Sequence, residues 1–397
     1  MTNSLSRRSF LGKGAALAGA SLALREPAWA RGARAGEPVR PVRPVRIGVV
    51  GGGFGRAFHW HEDAGCRVEA VSDRIPARRD ALKETYRCDK AYDSLEELVR
   101  DPQVDAVALF TGAPDHARHT VLCMEHGKHV CCACPACLTV EEAVKLKEVK
   151  ERTGLRYMSA ETSYYRWPAI TVRELVRAGD LGQLVYTEAE YYHPGITRTT
   201  HGLSWRDGER TWRYGYPPML YPTHSTAFWV GVTRGRLVRV SCVGTGDPDE
   251  PALKDNDYEN RFLNGMALFL TDAGHPFRCN VCWDIHADGE RAQWLGTQGA
   301  VYMPGSGGQP YRVQLGGETV GDEPDYWPRV PEAMRRDSGH GKSHPFLTHE
   351  FVTALAEDRE PEIDLYEALA FCVPGIVANE SAKRGGEQLE IPQFDRG

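Results

Sequence analysis

The sequence has little to offer a polyanion. Its 48 Lys and Arg are outnumbered by 54 Asp and Glu, giving a formal charge of -6 and a pI near 6.2. No basic run interleaved with aromatics follows residue 46, so no nucleic acid partner is expected. Apolar runs are short too: the Ala/Gly-rich stretch from Ala15 to Leu24 is roughly ten residues, against the ~20 that span a bilayer. No clustered carboxylate motif supports a metal site, and none is expected. The eleven cysteines lack the regular spread of a disulfide framework, and a chain of 397 residues is large enough to do without one. Five of them crowd between Cys123 and Cys137 without a distant second ligand pair, which predicts buried core thiols rather than a cluster.

What is present is the composition of a globular chain, 41% apolar and 26% charged, long enough for two cores. The first residues are a targeting signal by pattern. Ser6-Arg7-Arg8-Ser9-Phe10-Leu11 precedes the Ala15 to Leu24 stretch and then Ala28-Trp29-Ala30, which reads as a twin-arginine leader with an A-x-A cleavage site. The expectation is therefore a leader over 1–30, a linker over 31–44, and export to the periplasm by the twin-arginine translocase. A dinucleotide-binding domain is expected over 45–160 and a substrate and oligomerisation domain over 161–397, in a homo-oligomer.

From Arg46 on, short apolar runs alternate with amphipathic segments: Ile47 to Val50, Val68 to Val71, Val104 to Phe110 and His129 to Cys132. Buried strands joined by helices predict an α/β fold with a parallel, doubly wound sheet. Ser94-Leu95-Glu96-Glu97 and Thr139-Val140-Glu141-Glu142 have the form of capping boxes that start two of the helices. The first strand runs into Gly51-Gly52-Gly53-Phe54-Gly55-Arg56, where glycine lets the chain turn tightly and approach a pyrophosphate at a helix N-terminus. The G-x-G-x-x-G match is imperfect, since Arg56 takes its third glycine position. Asp73, about twenty residues after Gly53, can bond both ribose hydroxyls, so NAD is the expected cofactor; the adjacent Arg74 leaves NADP open.

After residue 160 longer alternating segments appear: Leu184 to Tyr192, Arg236 to Gly246, Gly265 to Thr271, Pro276 to Ile285 and Ala300 to Met303. These predict an α+β domain with an open, mostly antiparallel sheet whose face can cover a ligand held by the first domain. Trp205, Trp212, Tyr214, Tyr216 and Tyr221 form an aromatic-rich stretch suited to the apolar face of a sugar ring or, equally, to core packing. Trp212 and Tyr214 with His193 and His286 are the substrate-binding candidates, and Glu188 and His344 are further polar ones.

Thr111-Gly112-Ala113-Pro114-Asp115-His116, Gly127-Lys128-His129-Val130 and the Thr139 helix resemble the third and fourth βα units of Gfo/Idh/MocA oxidoreductases. The likeness extends from about Arg46 to Pro392, through Gly296-Thr297-Gln298-Gly299, His349-Glu350-Phe351 and Ser381-Ala382-Lys383. It implies that Pro114, His116 and Cys134 lie at the cofactor. Where that family usually reads E-K-P this chain has Ala133-Cys134-Pro135, so the lysine that commonly serves as acid/base is absent. Leu220-Tyr221-Pro222-Thr223-His224 is similar to the Y-P-T-H motif of the NAD-dependent α-N-acetylgalactosaminidase branch, and Tyr164-Tyr165-Arg166 stands where that branch has an active-site tyrosine. By this resemblance Tyr165, Tyr221 and His224 are the catalytic candidates. Three functions are compatible with it: a carbohydrate or polyol oxidoreductase with a tightly held cofactor, a redox-neutral NAD-dependent glycosidase, and a non-catalytic cofactor-holding protein.

Overall fold

Apolar runs buried on both faces build the first sheet of the computed structural model, which describes residues 43–195, 203–305 and 307–396. The expected leader and all but the last two residues of the expected linker lie outside these. The strands are Val45–Val50 (β1), Cys66–Ser72 (β2), Ala91–Tyr92 (β3), Ala106–Leu109 (β4), His129–Cys132 (β5) and Tyr157–Ser159 (β6). All pairings are parallel, in the order β3-β2-β1-β4-β5-β6. The order reverses between β1 and β4, which opens a crevice beyond the carboxyl ends of the strands. Pro76–Tyr86 (α1), Leu95–Leu98 (α2), His116–Glu125 (α3) and Val140–Thr153 (α4) form the crossovers. Both capping boxes close: Ser94 Oγ accepts from Glu97 N–H at 3.3 Å and Thr139 Oγ1 from Glu142 N–H at 3.1 Å. The Glu97 and Glu142 carboxylates turn back to the N–H groups of Asp93 and Leu138.

Helix Trp167–Ala178 (α5) leads into a nine-stranded sheet made of Leu184–Tyr192 (β7), Leu237–Thr245 (β10), Asn264–Thr271 (β11), Pro276–Cys282 (β12), Gly289–Gly296 (β13), Gly299–Tyr302 (β14), Arg312–Leu315 (β15), Glu318–Val320 (β16) and Leu389–Glu390 (β17). Trp205–Arg206 (β8) and Glu209–Arg210 (β9) form a separate hairpin. The large sheet runs β16-β15-β14-β13-β7-β12-β11-β10-β17. Its one parallel pairing, β7 with β12, departs from a purely hairpin-linked reading. The short helices Thr223–Thr226 (α6), Val230–Thr233 (α7) and Pro251–Lys254 (α8) are followed by the longer His344–Ala356 (α9) and Leu365–Lys383 (α10). No helix among the described residues is long and apolar enough to cross a membrane.

The end of the chain ties the two sheets together. Ser159 N–H at the edge of the first sheet donates to Ile363 O at 2.9 Å, and Lys150 Nζ on α4 lies 2.7 Å from Glu360 Oε1. On α10, Phe371 O accepts from Thr226 Oγ1 at 2.7 Å and Cys372 Sγ lies 3.4 Å from Cys137 Sγ. Residues 41–397 accordingly cluster as one unit, so the expected boundary near 160 marks a change of sheet rather than a gap in packing. All eleven cysteines are buried and free.

The first βα crossover differs from expectation. The glycine turn runs into two 3-10 turns, Gly55–Phe58 and Trp60–Glu62, with His59 between them at a φ of 48°. Two short turns stand in place of a full helix, and their Phe58 and Trp60 are buried in the core. The carbonyls this leaves unpaired are met by α9: Thr348 Oγ1 donates to Phe58 O at 2.8 Å, and His344 Nδ1 lies 3.2 Å from Ala57 O.

Candidate active site

A cleft of about 790 Å³ lies along the carboxyl ends of β1, β2, β4 and β5, and Tyr191, Arg206, Trp212, Tyr221 and His224 with His340 wall its other side. Its size is within the range of ligand pockets. At one end is the glycine turn. Gly51 has a φ of +98°, and a Cβ there would sit 2.2 Å from Phe110 O; one on Gly52 would sit 2.5 Å from Arg78 O. A Cβ on Gly53 would meet nothing closer than the Arg78 guanidinium, so this part of the turn is open to a ligand. Asp73, at the end of β2, lines the cleft and accepts from Gly52 N–H at 2.7 Å and Ile75 N–H at 2.8 Å. A tight glycine cradle beside an acidic residue at the end of the second strand fits a dinucleotide.

At the other end the chain assembles a buried proton-holding group. Glu161, just beyond β6, is fully buried and places Oε1 2.7 Å from Nδ1 of His224 on α6. Ser163 N–H donates to the same carboxylate oxygen at 2.9 Å. On the far side of the ring, His224 Nε2 lies 3.9 Å from Cys134 Sγ. Burial alone would discharge the imidazole, but the Glu161 charge overrides it and holds the His224 pKa well above its ordinary value. Burial likewise works against the Glu161 charge, and the imidazolium reverses that, so the carboxyl titrates far below the usual range. Burial pushes the Cys134 thiol up, so it faces the imidazolium as a neutral group. A second carboxylate, Glu290, is held by a bidentate Arg166 (2.8 and 2.6 Å) and accepts from Ser163 Oγ, which is itself 3.1 Å from His224 Nδ1. The rings of Tyr191 and Tyr221 pack 4.7 and 5.2 Å from the imidazole.

The sequence-predicted residues divide between the cleft and its surroundings. Gly51, Gly53, Phe54, Asp73, Arg74, His116, Cys134, His193, Trp212, Tyr221 and His224 line it. His116 is committed on both sides, with Nδ1 2.8 Å from Pro135 O and Nε2 3.0 Å from Thr111 O, so it braces two loops. Gly55 and Arg56 do not line it: a Cβ on Gly55 would strike Phe110, and Arg56 Nε donates to Gly52 O at 2.9 Å, stiffening the turn from behind. Pro114 is exposed at the start of a 3-10 turn.

Tyr165 is also outside. Its ring stacks on Phe346 at 6.0 Å and meets Tyr164 edge-on, in a satellite core. Tyr214 is buried between Trp205 and the Arg210 guanidinium, because aromatics in that stretch also pack the β8–β9 hairpin. His286 is exposed on the loop after β12. Glu188 pairs with Arg278 and Arg291, and His344 supports the cleft-lining His340 at 3.2 Å. Against the expectation of no metal ligands, Cys134, Glu161 and His224 gather donor atoms within 4.8 Å of one another, although Glu161 Oε1 is already engaged by the imidazole.

Glu161, Ser163, Glu290, Tyr191, Arg78 and Arg206 were not anticipated. Glu161 and Ser163 are near neighbours in the chain, but Glu290 on β13 joins them only where the 3-10 turn Thr162–Tyr165 and β13 both meet α6, and the remaining three come from other segments. Glu161 gives the one local signal, a charged residue directly after an apolar strand.

Comparison with known proteins agrees with this arrangement. Residues 45–161 match the oxidoreductase family with an NAD-binding Rossmann fold, Gfo/Idh/MocA, and residues 284–397 match the glycosyl hydrolase 109 C-terminal domain. A glycosyl hydrolase family 109 protein of Solibacter usitatus is 27% identical, over 99% of this chain and 97% of its own. One from Saccharopolyspora erythraea is 26% identical, over 83% and 76%. Among solved structures, levoglucosan dehydrogenase in complex with NADH and levoglucosan has a TM-score of 0.74 at 18% identity, covering 88% of this chain and 100% of that one.

Proposed function

Because the chain belongs to the Gfo/Idh/MocA oxidoreductase family and carries a glycosyl hydrolase 109 C-terminal domain, we propose that it cleaves a glycoside by a redox-neutral route with NAD retained throughout. The observation that carries this reading is the Glu161–His224 pair, which keeps an acid rather than a base beside Cys134, where the family lysine would stand. A departing aglycone oxygen needs an acid.

A bound dinucleotide would supply reversible hydride acceptance to the substrate. The glycine turn, open at Gly53, would admit its diphosphate and Asp73 would hold its ribose. His224 gives its Nε2 proton to the leaving oxygen and regains one from the water that adds, while the protons of the oxidised hydroxyl and of the neighbouring ring carbon pass to solvent and are restored from it before the substrate is reduced. Glu161 keeps its charge throughout and fixes the ring by its Nδ1. Tyr191 and Tyr221 shelter the imidazole from water, which strengthens the ion pair.

The test is a reaction in heavy water. The expected outcome is aglycone release without net reduced cofactor, and deuterium at the ring carbon next to the one transiently oxidised. A second reading, a sugar or polyol dehydrogenase, is favoured by the fold shared with levoglucosan dehydrogenase. It requires stoichiometric reduced cofactor, no aglycone and an unlabelled neighbouring carbon. For the oligomer, the exposed Val243 and Leu268 on neighbouring strands β10 and β11 supply an apolar face suited to a second copy.

A further inference from the structure

The glycine turn has few free donors for a diphosphate. Gly51 N–H goes to Ser72 O at 3.0 Å, Gly55 N–H to Gly51 O at 3.1 Å, and Gly52 N–H to the Asp73 carboxylate. The four-residue 3-10 turn after it replaces the helix whose N-terminal amides and dipole ordinarily meet the two phosphates. A dinucleotide bound there still carries its two negative charges, and the chain must answer them from elsewhere.

Two guanidinium groups stand in the right place. Arg78, on α1, brings Nη1 within 3.8 Å of where a Cβ on Gly53 would be, directly over the open part of the turn. Arg206, on the β8–β9 hairpin of the second half of the chain, lines the same cleft. Neither has an ion-pair partner among the described residues, whereas neighbouring Arg79 is paired with Asp93. The acids that face them are Asp73 and Asp207, and both Asp73 oxygens already accept backbone N–H groups. Burial first, and then the charge of Arg78, lower the Arg206 pKa by more than Asp207 and Asp73 raise it, as expected of two cations held close.

We infer that Arg78 and Arg206 clamp the diphosphate of the dinucleotide from opposite halves of the chain, replacing the missing helix N-terminus. Guanidinium groups suit this because their donors form paired, charge-assisted bonds to phosphate oxygens. The clamp also makes the β8–β9 hairpin part of the cofactor site, so nucleotide leaves only when the hairpin lifts. It rests on the dinucleotide assignment and not on the glycosidase reading.

Calorimetric titration of nucleotide-stripped protein with ADP-ribose and with adenosine separates the phosphate contribution from the rest. Arg78→Gln and Arg206→Gln are each expected to weaken ADP-ribose by about 10- to 100-fold, as for a lost hydrogen bond to a charged group, and to leave adenosine within about twofold. The dependence of ADP-ribose affinity on salt should flatten in both variants. Arg78→Lys keeps the charge and should recover part of the loss, which guards against a folding defect at the half-buried Arg78; Arg206 is exposed, so its replacement should not move the thermal midpoint of the stripped protein. Equal loss for both ligands, or none for ADP-ribose, overturns the clamp. If the stripped protein takes up neither ligand, the clamp falls with the dinucleotide assignment, while glycoside cleavage is measured separately.

Discussion

Glu161 Oε1 and His224 Nδ1 lie 2.7 Å apart with both side chains buried, and each holds the other in its charged form. The folded-state pKa of His224 is raised, so its proton and the stability it brings persist through neutrality and are lost as pH rises past that value. The Glu161 pKa is depressed, so its contribution disappears only on the acid side, below the ordinary carboxylate range. Activity should therefore fall along an alkaline limb. Glu161→Gln removes the charge that sustains the imidazolium, and the limb should move to lower pH, with a loss of roughly 10²–10⁴ in rate near neutrality. A pH–rate profile of both proteins checks this; an unmoved limb would mean that another group sets it.

Cys134→Lys restores the residue the family usually carries and is expected to fail. The new ammonium would enter a buried site whose resident cation, His224 Nε2, is 3.9 Å from the present sulfur. Like charges at that distance disfavour one another strongly, so the His224 pKa should drop and the protein should lose thermal stability. Full activity with an unshifted pH profile would show that the cysteine is an incidental substitution.

Tyr165→Phe should leave turnover within about twofold, because the ring packs on Phe346 away from the cleft and keeps that packing when only its hydroxyl is removed. Tyr221→Phe, at the cleft wall, should cost more. Steady-state kinetics of the two variants against a common aryl glycoside makes the comparison, and a greater loss for Tyr165→Phe would restore it to the catalytic candidates.

Gly51→Ala adds a Cβ 2.2 Å from Phe110 O at a φ of +98°, so β1 and β4 must part or the turn must refold. Strain of this kind costs about 1–3 kcal/mol before the clash is counted. The variant should melt earlier and be recovered without nucleotide. Normal nucleotide content would show that the turn does not form the cradle.

Export remains a proposal drawn from Arg7 and Arg8. Replacing both by Lys should leave the protein in the cytoplasm, and fractionation of cells reads the outcome directly.

The sequence was most legible where the physics is local. Alternation and run length marked β1, β2, β4 and β5, and Ser94 and Thr139 announced their helices because a cap is settled within four residues. The absent first helix was illegible because glycines signal a turn without fixing the element that comes after it, whose length is set by where β2 begins. Tyr165 shows a different limit: resemblance placed a tyrosine near the site, but the direction of its ring depends on Phe346, far along the chain. Glu161 was missed because a carboxylate acquires meaning only from its partner, and His224 is separated from it by the whole approach to the second sheet.

The bonds from Ser159 to Ile363 and from Lys150 to Glu360 have a consequence for synthesis. The parallel sheet can be translated in full, yet its outer edge stays open until residues 360–363 emerge from the ribosome. A nascent chain arrested anywhere before α10 would expose β6 and the cleft behind it to chaperones or proteases. Closure of that edge thus waits for a segment far downstream of the sheet it completes, and deletion of residues 360–383 should make the polypeptide short-lived in the cell.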